Sequence, residues 1–373
     1  MARKCSYIFV CIACLLSAMA AAAWWQLPKY QAYIPPRVFD ISNADPEPLF
    51  NITINGRAGC MNRAARIVIE PEYDDIRCSS DRLVPFEENG QWGYLDQSGA
   101  IILEPQFSLA NHGYSNNFSN GLAVVCQNSK CGYIDESGKY VIKPIFDWAG
   151  HFYEGLAIAR VGSASFLGWQ YKAPITVMID TKGEIVFGEP NIRPSDNFSD
   201  GLAEAEVNGV TAFINTDGVA SFSVQEKGVG KFSEGLAVFG TRDLYRFGYI
   251  DKNGEVVIQQ QFKQAGEFSE GLATVMFENG KYGYIDRSGN TVVGPEFDVA
   301  GTFHEGRAVV RIGSKEGYID ITGKMVIPLL FGSAERFKDG LARVSFDDEN
   351  PPYETKKYGY IDLEGKFVLN PIN

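Results

Sequence analysis

The chain has 373 residues, 45% apolar and 13% aromatic, with 39 glycines and 17 prolines. That profile suits short strands joined by tight turns and argues against a helical bundle. With 34 basic against 46 acidic residues the formal charge is −12, which leaves no basis for a phosphate-binding, nucleic-acid surface and would repel anionic lipid.

At the N-terminus Arg3 and Lys4 precede an uncharged apolar run, residues 5–25, with small-x-small sites at Ala18-Met19-Ala20 and Ala21-Ala22-Ala23. A basic start, an apolar stretch and such sites form a secretory signal, cleaved to remove residues 1–23. The run is also about long enough to span a bilayer as one helix, so an uncleaved N-terminal membrane anchor is the second reading. Both predict an exported protein, periplasmic or associated with the cell envelope. Residues 24–50, with Pro28, Pro35, Pro36, Pro46 and Pro48, read as an extended linker, and residues 51–373 as a β-repeat domain.

Two phrases alternate through that domain. Gly-Tyr-Ile-Asp begins at Gly132, Gly248, Gly283, Gly317 and Gly359; Gly93–Asp96 is a near copy, and Val177–Asp180 and Ala212–Asn215 are weaker ones. Phe-x-x-Gly-Leu-Ala begins at Phe118, Phe152, Phe198, Phe232, Phe268 and Phe337, with a variant at Phe303. A period of about 35 residues means tandem units whose neighbours bury one another's apolar faces. In one unit, Tyr133-Ile134 and Tyr140–Ile142 flank Asp135-Glu136-Ser137-Gly138. This predicts a hairpin on a type I turn, with Asp accepting turn N–H groups and Gly in the left-handed region. Leu156–Val161 supplies another strand, so each unit is expected to be a three-stranded β-meander. The chain starts and ends on the same hairpin segment, which leaves no strand missing at one end for the other to supply. The expectation is therefore an all-β, open, curved stack, with a closed propeller-like ring as the alternative.

These phrases resemble the WG-repeat family, a bacterial β-repeat named for a Trp-Gly pair before the Tyr-Ile-Asp strand. The pair itself occurs here at Trp92-Gly93, while Cys131, Phe247, Tyr282, Glu316 and Tyr358 take the Trp position elsewhere. The resemblance covers about residues 56–373. It implies a β-rich repeat structure, commonly on exported or envelope-associated proteins, and no defined activity.

Seven cysteines are present. Cys5, Cys11 and Cys14 lie in the export segment, and the remaining four suit an oxidising compartment. Cys126 and Cys131 flank a short turn and can bridge across a hairpin; Cys60 is then left to pair with Cys78.

The candidate chemistry is sparse. Turn aspartates at Asp96, Asp135, Asp180, Asp251, Asp286, Asp320 and Asp362 supply one carboxylate per turn, which suits turn capping and is too few for calcium. An acidic residue usually precedes Gly-Leu-Ala (Glu154, Asp200, Glu234, Glu270, Glu305, Asp339), with Asn120 in one unit; these residues are expected to cap loop N–H groups. Repeated aromatics such as Phe146, Phe152, Phe297 and Phe303 are expected in core layers. His112, His151 and His304 occupy different repeat registers, so no metal site is expected, and no catalytic or cofactor-binding motif is recognisable. The repeat spacing widens between Ala157 and Val177 and between Ala342 and Gly359. Enlarged loops in repeat proteins often carry the binding face, so Trp169, Tyr171 and Tyr353 are the candidate ligand contacts. The sequence thus predicts a non-enzymatic scaffold without cofactor that binds a protein or envelope component, or alternatively a cell-wall or glycan-binding module.

Overall fold

A computed structural model describes residues 46–108, 116–162, 174–224, 228–241, 246–346 and 357–372, all within the unit spanning 46–373. The expectations for residues 1–23 and for most of 24–50 lie outside the described residues. The first strand, Leu49–Ile54, begins inside the stretch read as linker.

The described strands form nine separate antiparallel sheets in strict sequence order. We number them as blades 1 to 9, spanning 49–73, 75–107, 118–146, 148–188, 192–223, 228–262, 264–297, 299–331 and 333–372. Blade 1 shows three strands among the described residues, and every other blade shows four. This corrects the three-stranded unit. The additional strand comes first in each four-stranded blade; it has two residues in five of them, as in Trp148–Ala149 of blade 4 and Ser333–Ala334 of blade 9, three in blade 5 and six in blades 6 and 7. Two residues carry no periodicity, so the sequence offers no alternation from which to read such a strand.

The second and third strands are the interior of each blade. In blade 3, Leu122–Gln127 and Lys130–Asp135 are buried almost throughout, whereas the last strand, Tyr140–Phe146, exposes most of its residues. Facing blades interlock through the repeated aromatics. Phe146, Phe152 and Phe303 are fully buried, and Tyr133 meets Phe152 with ring centroids 4.7 Å apart. These rings fill the layers between blades, as the sequence predicts.

The ring is closed, which corrects the open stack. Blade 9 packs on blade 1 through Phe50, Ile52, Met61, Leu341 and Tyr360. The Phe50 and Tyr360 rings lie edge to face at 5.8 Å, the Tyr360 hydroxyl donates to the Asn51 carbonyl at 2.7 Å, and Arg63 Nε donates to the Asp339 carbonyl at 2.9 Å. The argument for an open stack assumed that closure needs a strand exchanged between the ends. Here the ends meet face to face by the tyrosine contact that five sequential pairs of blades also make, so no exchange is required.

Both disulfides are as the sequence predicts: Cys126–Cys131 across the hairpin of blade 3, with Cα atoms 4.0 Å apart, and Cys60–Cys78 joining blade 1 to blade 2, at 5.8 Å.

Candidate functional site

Most of the repeated polar residues turn out to hold the ring together. Asp135 Oδ1 accepts from the N–H groups of Ser137 and Lys139 at 2.8 and 3.1 Å, and Asp286 and Asp320 repeat the pattern. Asn215 does the same with its amide oxygen. The acidic residues before Gly-Leu-Ala are also caps, and five of them, Glu154, Asp200, Glu234, Glu270 and Glu305, reach into the following blade. Glu154, Glu270 and Glu305 accept from the N–H groups of Gly201, Gly306 and Gly340 at 2.9 Å; Asn120 accepts from Gly155 at 3.1 Å. The Tyr of Gly-Tyr-Ile-Asp donates forward in the same way: Tyr133 to Gly150, Tyr249 to Gly266, Tyr284 to Gly301 and Tyr318 to Glu335, at 2.7–2.8 Å.

Blades 4 and 5 break this pattern, and the break can be traced to single residues. In the regular blades the Gly of Gly-Tyr-Ile-Asp sits at a bulge against the last strand. A Cβ on Gly132 would lie 2.4 Å from the Ile142 carbonyl oxygen, and one on Gly283 would lie 2.4 Å from that of Val293. Only glycine allows that approach. Blade 4 has Val177 at this position and blade 5 has Ala212. Each of these two blades shows one register shift where the regular blades show two. The last strand of blade 4, Ile185–Gly188, accordingly ends early, with Gly188 opposite Val177. The forward-donating Tyr is also missing, replaced by Met178 and Phe213, which have no hydroxyl.

The large side chains that fill this level in four other blades are absent too. Trp92, Phe247 and Tyr282 pair across strands with Phe107, Phe262 and Phe297. In blade 4 Thr176 holds the Trp92 position. Ile192, half buried, stands six residues before Phe198, the place Phe146 takes before Phe152. Less volume in the same frame leaves space. Two adjoining cavities of about 360 and 430 Å³ open at the junction of blades 4 and 5. The first is lined by Trp148, Ile158, Arg160 and Thr176 of blade 4, and by Arg193, the segment 194–197 and Glu206 of blade 5. The second extends from Arg193 and Glu206 to Ile175, Pro190 and Asn208.

The cleft is polar with an apolar floor. Arg193 pairs with Glu189 at 3.4 Å and Asp196 with Lys231 at 3.2 Å. Burial, with Asp196 second, pushes the nearby Glu204 carboxyl above its ordinary range. Arg160 lies opposite Thr176 across the strand pair and is exposed.

Connectivity places the cleft beside the first enlarged connection. In every blade the second and third strands are joined at the end opposite the two other turns, because successive strands run antiparallel. Residues 163–173 and 347–356 lie outside the described residues; the strand ends that flank them, Val161 and Ile175 in blade 4 and Ser345 and Tyr358 in blade 9, belong to the same connection, second strand to third. Ile175, a lining residue, starts the strand after 163–173. Trp169, Tyr171 and Tyr353 themselves lie outside the described residues. The sequence reading missed Arg160, Thr176 and Arg193. Their signal was present in Val177–Asp180 being a weak copy of the repeat, but a missing aromatic has meaning only once the blade register is known.

The WG containing repeat matches the chain at residues 59–91, 92–131, 132–163, 247–282, 282–315 and 317–349. No match falls on 164–246, the stretch that carries the irregular strands around the cleft. No curated protein matches the sequence. A solved structure of a eukaryotic initiation factor superposes with a TM-score of 0.59 at 10% identity, covering 88% of this chain and 96% of its own. BamB from Moraxella catarrhalis gives 0.38 at 12% identity, covering 72% and 89%. AztD from Citrobacter koseri gives 0.34 at 13% identity, covering 75% and 84%. The first likeness speaks for the fold alone, and the other two are too loose to bear on it.

Proposed function

The chain belongs to the WG containing repeat family, and from that premise we propose that it is an exported, non-enzymatic ring scaffold that binds a protein partner of the cell envelope. The observation that carries this reading is the junction of blades 4 and 5. The long internal stretch without repeat matches, 164–246, supplies most of the lining of an open cleft, and the enlarged connection 163–173 joins two strands of blade 4. A ring that keeps the forward tyrosine bond in six blades and lacks it in blades 1, 4 and 5, the last two flanking the cleft, has the form of a frame with a site added to it. Export is supported by Arg3 and Lys4 ahead of the apolar run 5–25, and by the two disulfides, which persist in oxidising compartments.

The test is affinity purification from an envelope extract with the full-length chain and with a Trp169→Ala/Tyr171→Ala variant. The reading expects a partner that saturates the wild type and is lost from the variant. Equal recovery by both would reject those two residues as contacts. Sedimentation with purified cell-wall sacculi separates a protein partner from a wall polymer, and co-sedimentation would favour the latter.

A further inference from the structure

Among the described residues, blade 1 presents an edge that a first strand covers in every other blade. In those blades N–H groups in or beside the first strand donate to carbonyls of the second. Asp147 donates to Arg160 and Gly150 to Ile158 at 2.9 Å in blade 4; Asp298 donates to Arg311 and Gly301 to Val309 at 2.8 Å in blade 8. In the second strand of blade 1, Leu49–Ile54, Thr53 and Asn51 hold the places of Arg160 and Ile158. The forward tyrosine reflects the difference. Tyr133 and Tyr284 reach Gly150 and Gly301, next to the following blade's first strand, whereas Tyr360 reaches Asn51 on the second strand itself.

The sequence holds a matching phrase. Phe39, Asp40, Ile41 and Ser42 precede Leu49 by the spacing at which Phe146, Asp147, Trp148 and Ala149 precede Leu156. Phe297, Asp298, Val299 and Ala300 precede Arg307 by the same spacing. The aspartate of this phrase has a regular partner. Asp147 pairs with Lys130, Asp298 with Lys281 and Asp74 with Arg57. Each basic residue directly precedes the third-strand position held by Cys131, Tyr282 and Ala58, and in blade 9 Lys357 precedes Tyr358 in the same way.

We propose that residues 39–43, which lie outside the described residues, dock on the edge of Leu49–Ile54 as the first strand of blade 1. They form a strap across the junction where the ring closes. The register gives the Asp40 N–H to the Thr53 carbonyl and the Asn43 N–H to the Asn51 carbonyl. It hands the Asn43 carbonyl to Tyr360 and sets the Asp40 carboxylate against Lys357. Only residues 44–48 separate the two strands, so closing this loop costs less than recruiting a strand from another molecule. An open edge is a template for pairing with a foreign chain, and the strap removes it. The inference goes beyond the scaffold reading and does not depend on it.

The test is hydrogen exchange of the Leu49–Ile54 amides in the full-length chain. Wild type is expected to exchange slowly at Asn51 and Thr53. Asn43→Pro deletes the N–H meant for Asn51 and is expected to speed exchange at this edge roughly tenfold or more. Asp40→Lys is expected to act in the same direction, and Lys357→Asp in the same chain to restore slow exchange. Equal exchange in wild type and Asn43→Pro would overturn the proposal. So would protection that disappears on dilution, because it would assign the edge to a second molecule. Should Asn43→Pro fail to fold, the charge reversal decides: rescue by Lys357→Asp supports the strap, and its failure counts against it.

Discussion

Glu270 sits at φ 54°, a conformation that costs a non-glycine residue roughly 1–2 kcal/mol. Its carboxylate accepts the N–H of Gly306 in the next blade, so the strain serves a joint. Glu270→Ala keeps the strain and loses the joint, and should lower stability by about 1–2 kcal/mol in urea denaturation. Glu270→Asn should stay within about 0.5 kcal/mol of wild type, since Asn120 makes the same bond from the same conformation. Equal losses would show that the carboxylate is not a joint. Tyr133→Phe removes a buried hydroxyl from the Gly150 carbonyl and should cost about 1–3 kcal/mol by leaving that acceptor unpaired.

The turn aspartates give the pH dependence. The Asn290 side chain and main-chain N–H groups hold the Asp286 carboxyl below its ordinary range, and the Thr322 hydroxyl does so first for Asp320. A carboxyl lowered in the folded state adds stability above its unfolded pKa, near 3.8, and loses it as pH falls through the folded value. The urea midpoint should therefore fall below about pH 4, and fall less in an Asp286→Asn/Asp320→Asn variant. Parallel curves for the two proteins would contradict this. These turn roles were legible in the sequence, because an Asx turn is local and its acceptor, donors and glycine lie within five consecutive residues. The forward reach of Glu270 was not, since its donor lies 36 residues away.

At the scale of elements, the bulge glycine decides how far a blade's last strand pairs. Gly283→Ala drives a methyl into the Val293 carbonyl and should cost about 1–3 kcal/mol. Hydrogen exchange should then rise in Thr291–Phe297, the strand that this glycine admits. An unchanged exchange pattern would separate the glycine from the early end of blade 4. The disulfides act on the unfolded chain. Cys60–Cys78 closes a separation of 18 residues and Cys126–Cys131 one of 5. Loop entropy gives about 3 kcal/mol for the first and about 2 for the second, so Cys60→Ser should destabilise more than Cys126→Ser. Elements with a repeated phrase behind them were readable from the chain, as Tyr133–Ile134 and Tyr140–Ile142 show. The two-residue first strands were not, because their pairing is set by the neighbouring strand.

At the scale of the molecule, the ring is nine copies of one interface, eight between sequential blades and one between the ends. The repeat phrases contain Leu341 and Tyr360 of the closing contact, but Phe50 and Ile52 lie outside them, and a sequence read along its length does not show that the ninth copy is made. Curvature accumulates from small rotations between blades, which depend on how Phe152 and Tyr133 pack and not on residue type alone. The cleft has the same origin: a local loss of volume at Thr176 and Ile192 that matters because the frame around it is fixed by closure. Were the ends free, blades 4 and 5 could approach and fill the space.

Closure can be measured directly with paired spin labels at equivalent exposed turn positions. Ala64 in blade 1 and Glu364 in blade 9 report the closing contact, and Thr322 in blade 8 with Glu364 reports a sequential one. A closed ring predicts that the two pairs give the same short distance with similar widths. A distance for Ala64–Glu364 far longer than for Thr322–Glu364 would mean that the ends do not meet.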